Sequence, residues 1–129
     1  MDLLKTISRW CLRAALAGIF LYHGLDKLSN IPTYAAGMKM SADLIYVLGV
    51  AETMGGIFIF VGGLNLVIGE MLTRLAGAIF SVVMIGAIAL VHWPQWSFVS
   101  NSAKPMGGME FQVLILAISL LYMTSVEDL

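Results

Sequence analysis

The chain alternates long apolar runs with short polar breaks, and four of the runs approach membrane-crossing length. A helix needs about 20 mainly apolar residues to cross ~30 Å of hydrocarbon. The runs cover residues 7–25, 42–68, 71–93 and 108–123. The fourth is short, which predicts little tilt or an extension into the polar tail. Together they predict an all-α fold, an integral membrane four-helix transmembrane bundle that forms one domain over residues 1–129. The first connection, residues 29–41, reads as a loop opened by Pro32, and Ser41 followed by Asp43 reads as a helix start. The second connection is short, around Gly69 and Glu70. The third, residues 94–107, holds Pro94, Pro105, three serines, Asn101 and Trp96, and is predicted to be irregular.

Composition narrows the class. Apolar residues make up 60% of the chain and charged residues 12%, against about 25% charge in an ordinary soluble domain. A disordered chain would be charge-rich and apolar-poor. Seven Lys/Arg against eight Asp/Glu supply no basic face for nucleic acid. A single cysteine, Cys11, excludes an internal disulfide, a CxxC pair and a cysteine-based zinc site, and is read as an inert packed thiol. Lys5, Arg9 and Arg13 precede the first apolar core as in a signal peptide. His23, Asp26 and Lys27 follow it without a small-residue cleavage pattern, so the segment is read as a retained helix. Lys5, Arg9, Arg13 and Arg74 on one side outnumber Lys27, Lys39 and Lys104 on the other. That bias puts both termini on the cytoplasmic side of a multi-pass protein of the cytoplasmic (inner) membrane. Arg9 and Arg13 are expected to snorkel to inner headgroups.

Ionisable groups inside apolar runs are costly and point to function. Glu52 lies about 15 Å along the second run at 1.5 Å per residue. It shares a stripe with Gly49, Gly56 and Gly63, a heptad of glycines that lets another helix approach closely. His23, Asp26 and Lys27 close the first run, His92 closes the third beside Trp93 and Trp96, and Glu110 opens the fourth. The topology brings all of them to the outer face, with Glu52 beneath. His23 and Lys27, four apart, are expected on one helix face. The stripe Arg74, Ala78, Ser81, Ile85, Ala89, His92 and the set Glu110, Leu114, Ala117, Leu121 are expected to face inward. The plainer reading stands beside each: a structural hydrogen bond for Glu52, interfacial residues for the histidines, and an aromatic belt for Trp93 and Trp96.

The segments RAALAGIFLYHGLDKL (13–28), ETMGGIFIFVGG (52–63), TRLAGAIFSVVMIGAIALVH (73–92) and GGMEFQVLILAISLLYM (107–123) resemble, in order and spacing, the four helices of the DoxX family. The resemblance implies a small four-helix membrane protein associated with quinol oxidation, thiosulfate:quinone oxidoreductase or stress-related redox assemblies. By position it carries over His23, Lys27, Glu52, His92 and Glu110. Residues 64–72 are longer than the family's usual tight turn, which leaves its inner-face contacts open.

Two functions compete. In the first, a redox-linked subunit handles a quinone or a small outer-side donor, with His23, Glu52, His92 and Glu110 as catalytic candidates. Lys27, Trp93 and Trp96 are then the substrate-binding candidates. A quinone needs an apolar slot and proton partners at its carbonyl oxygens, which imidazole and carboxylate supply. In the second, the chain is a non-catalytic structural or assembly subunit of a larger membrane complex, partnered by other membrane proteins or by further copies of itself in the lipid bilayer. Haem b held by His23 and His92, and a proton-coupled exporter using Glu52, rank lower. No metal site is expected, since no helix carries a Glu-x-x-His pair.

Overall fold

The computed structural model describes residues 2–64 and 66–124. Met1, Asn65 and residues 125–129, and with them the chain termini assigned above to the cytoplasmic side, lie outside the described residues. The described residues are all-α, with helices α1 (Asp2–Ser29), α2 (Ile31–Met38), α3 (Ala42–Val61), α4 (Gly69–Ala87, continued by a π turn over Ile88–His92) and α5 (Glu110–Thr124). By length and composition α3 and the continuous Gly69–His92 helix are apolar enough to cross a membrane. The four long helices pack in chain order, α1 on α3, α3 on α4 and α4 on α5.

The α1–α3 seam is the closest. A Cβ built at Gly24 would meet Thr53 N at 2.7 Å and Gly49 O at 2.9 Å. The heptad glycines all face α1, with Gly49 and Gly56 of α3 against Leu28 and Leu21, and Gly63 in the turn beyond α3 against Arg13 and Trp10. These pairings run antiparallel. On its other side α3 lays Gly55 against Phe80 and Ile79 of α4. Phe20 and Phe80 stack at 3.6 Å between centroids, inclined by 9°, in the middle of the core. Leu16, Ala17, Ile59, Ala76, Ile115 and Tyr122 pack around them.

Four local expectations change. Residues 29–41 are mostly helix, not loop. Pro32 falls in the first turn of α2, where its missing N–H costs nothing. Lys39, at φ 54°, ends that helix in the left-handed region. The second run stops being helical at Val61, well before residue 68, because Gly62 and Gly63 open a turn there. On α4 the buried line is Thr73, Ala76, Gly77, Phe80, Ser81, Val83 and Met84, while Ile85 faces out. An uninterrupted α-helix would then turn residue 91 inward. The π turn inserts one residue, and His92 takes that place. On α5 the inward residues are Ile115, Ser119 and Tyr122, and Leu114 and Leu121 are exposed. That helix is apolar on every side, so periodicity carried no information about its face.

Candidate functional site

Lys27 and Glu52 form the clearest chemical feature. α1 buries one stripe, Arg13, Leu16, Ala17, Phe20, Gly24 and Lys27, at helical spacing. Gly24 lets α3 close in, which brings Glu52 against Lys27. Lys27 Nζ donates to Glu52 Oε2 at 2.9 Å and to Oε1 at 3.1 Å, and both side chains are under a tenth exposed. α2 lies over this pair. The Tyr34 ring sits 5.3 Å from Lys27 Nζ, and its hydroxyl donates to Asp26 Oδ2. Asn30 Nδ2 donates to Asp26 Oδ1 at 2.9 Å. The bond to the Asp26 carboxylate, aided by burial, pushes the Tyr34 phenol up to about 12.

His92 and Glu110 belong to the same end of the array but to a different layer. With Gly55 beside Phe80, Glu52 is level with residues near Val83. His92 lies nine residues further on, about 13 Å at 1.5 Å per residue. The His92 ring is buried, and its Nδ1 lies 2.9 Å from Gly107 O. A carbonyl can only accept, so Nδ1 carries the proton and Nε2 is left as the acceptor of the neutral ring. Glu110 Oε1 accepts from Phe98 N at 3.0 Å. Both side chains therefore hold the segment 93–109, whose folding is completed by Gly108 N donating to Ser97 O and Met109 N to Gln95 O. Lys104 Nζ adds a bond to Val91 O at 3.1 Å.

The other candidates are placed outside these contacts. His23 is exposed, its ring edge-on to Tyr22. The buried stripe passes through Gly24, which leaves His23 at its margin although Lys27 is only four residues away. Trp93 and Trp96 are more than half exposed. Trp93 borders an apolar recess of about 420 Å³ with Ile85, Ile88, Ala89 and Leu116. Cys11 is exposed rather than packed.

Sequence reasoning missed a second polar cluster at the opposite end. Arg13 does not snorkel: it is 5% exposed. Its Nη1 donates to Ile59 O at 2.8 Å and Thr73 Oγ1 at 3.0 Å, and its Cζ lies 5.1 Å over the Tyr122 ring. The available signal was phase. Arg13 stands three and four residues before Leu16 and Ala17 and seven before Phe20, so it lies on the core face. Tyr34 was missed because α2 was read as a loop.

A Bacillus subtilis (strain 168) protein named "Putative oxidoreductase CatD" is 29% identical over 117 residues, which cover 88% of this chain and 75% of that protein. No solved structure matches the chain. The DoxX family model matches residues 9–93, a stretch that contains the α1–α3 glycine seam, the Lys27–Glu52 pair, the buried Arg13 and the π turn at His92. The chain belongs to the DoxX family.

Proposed function

We propose that this DoxX-family membrane protein crosses the cytoplasmic membrane four times as a four-helix bundle, termini inside, and takes a quinone at its outer end as part of a redox-linked assembly. The observation that carries the reading is the buried Lys27–Glu52 pair. The glycine seam already brings α1 and α3 into close backbone contact, so adhesion does not require two charges there. The pair supplies a donor and a proton-exchanging carboxylate in apolar surroundings. Lys27 has three N–H groups and gives two to Glu52, so one remains for a quinone carbonyl oxygen. The recess beside Trp93 is a separate apolar slot between the end of α4 and α5, and His92 and Glu110 order the segment that follows Trp93. His23 and Trp96, outward at this end, are assigned to the headgroup region or to a partner chain. The oxidoreductase name of the Bacillus relative supports a redox link. The charges of α1 at positions 13 and 27 turn inward, and apolar side chains such as Tyr22, Val47, Val82 and Leu114 are exposed on the four long helices, as lipid contact requires.

A second reading, a non-catalytic assembly subunit, is favoured by one observation: Nδ1 of His92 and Oε1 of Glu110 are both engaged by the loop backbone. Quenching of tryptophan fluorescence by a short-chain quinone, in protein purified in mild detergent, separates the two. The double variant Lys27→Met/Glu52→Leu is expected to fold and to lose tenfold or more in quinone affinity. Equal affinity in both proteins, or none in the wild type, overturns the quinone reading.

A further inference from the structure

The two buried cations of α1 differ in one respect. Lys27 has a carboxylate; among the described residues Arg13 has none. Its Nη1 is engaged by two neutral acceptors, Ile59 O and Thr73 Oγ1. A guanidinium carries five N–H donors in a planar fork, so the Nε–Nη2 edge has no acceptor among the described residues. Tyr122, fully buried on α5, presents a hydroxyl that also has no partner among the described residues. Arg13 Cζ lies over the Tyr122 ring, and the phenol oxygen extends beyond that ring. With Cζ 5.1 Å from the ring centroid, the guanidinium and the phenol border the same buried neighbourhood. Buried polar groups are almost always satisfied; the Tyr122 hydroxyl is not, and it can donate beside a guanidinium edge that can only donate.

We propose that Arg13 and Tyr122, with Thr73 positioning the guanidinium, form a phosphate-oxyanion site at the end of the helix array opposite Lys27 and Glu52. The fork matches two oxygens of one phosphate, as a lysine could not, while Tyr122 donates to the same group. Arg13 is level with Ile59, less than one turn from the end of α3 at Val61, and Thr73 lies one turn inside the start of α4 at Gly69. That depth suits the phosphate of a lipid headgroup and also a free phosphate entering from the aqueous side. The site is independent of the quinone reading.

The test is thermal unfolding of delipidated protein in a neutral detergent, with sodium chloride at matched ionic strength as control. One arm adds inorganic phosphate and the other phosphatidylglycerol. Either is expected to raise the melting temperature of the wild type; a response to phosphatidylglycerol alone identifies the headgroup, and a response to inorganic phosphate identifies the free oxyanion. Tyr122→Phe keeps the ring over Arg13 and is expected to weaken the apparent affinity threefold or more. Arg13→Lys keeps the charge, loses the fork and is expected to weaken it tenfold. Should Arg13→Lys fail to fold, Tyr122→Phe alone decides. No stabilisation of the wild type beyond the chloride control, or an unchanged response in Tyr122→Phe, overturns the proposal.

Discussion

Removing one partner of the Lys27–Glu52 pair should damage the protein far more than removing both. The contact lengths of 2.9 and 3.1 Å correspond to roughly 5–6 kcal/mol of attraction at an effective dielectric of about 20. Both side chains are more than nine-tenths buried, so most of that attraction offsets the loss of hydration. Glu52→Leu leaves Lys27 buried and uncompensated and is expected to cost about 3–5 kcal/mol, whereas replacing a whole buried pair with apolar groups of similar size is often neutral or stabilising. In the equilibrium constant, ~3–5 kcal/mol is a factor of roughly 10² to 5 × 10³. The assay is a double-mutant cycle of wild type, Glu52→Leu, Lys27→Met and the double variant, with reversible unfolding followed in detergent. Each single variant should unfold far more readily, and the double variant should fall within about 1 kcal/mol of wild type. Additive losses, with the double variant as weak as the sum of the singles, would refute the claim that the two charges exist in the fold for each other.

Gly24→Ala should separate α1 from α3, because its Cβ would meet backbone atoms of Thr53 and Gly49; a loss of about 1–3 kcal/mol is expected from overpacking. Gly18→Ala, with open space at its Cβ, should instead gain up to about 1 kcal/mol from helix propensity, and unfolding curves of the two variants side by side check the contrast. Tyr34 should ionise only near pH 12. Since its folded value lies above the ordinary phenol value of about 10, its contribution to stability is complete below pH 10 and fades as pH rises through 12. Tyrosinate absorbance should show this late step, and Asp26→Asn should bring it back toward the ordinary value. Gly107→Ala, at φ +78° with its Cβ directed onto Phe98 O, should loosen the segment that His92 holds, read as faster amide hydrogen exchange over residues 93–109 without global unfolding.

The glycine heptad, the position of Glu52 and the irregular 94–107 connection were legible because each is written in local spacing. A seven-residue glycine repeat has to line one side of a helix whatever lies beyond it, and a proline-rich polar stretch cannot continue one. Lys27 was marked as a partner for an anionic donor, Glu52 or Glu110, yet the choice of Glu52 was not legible, since two residues 25 positions apart are joined only by the antiparallel packing of α1 on α3. The inward faces of α4 and α5 were displaced for two different reasons. In α4 one inserted residue in the π turn changed the phase, and in α5 apolar residues on every side erased it.

Arg13 marks the boundary most sharply. Its neighbours in the basic set, Lys5 and Arg9, argue for a headgroup contact, and only the placement of Ile59, Thr73 and Tyr122 around it makes a buried cation. Composition and periodicity determined that the chain is helical and apolar, and chain order that His23, Glu52, His92 and Glu110 lie toward one end. Which charges are paired, which are exposed and which remain without a counter-charge was decided by the tertiary structure. Helix phase and inter-helix register are cooperative properties of the packed chain, and no single segment carries them.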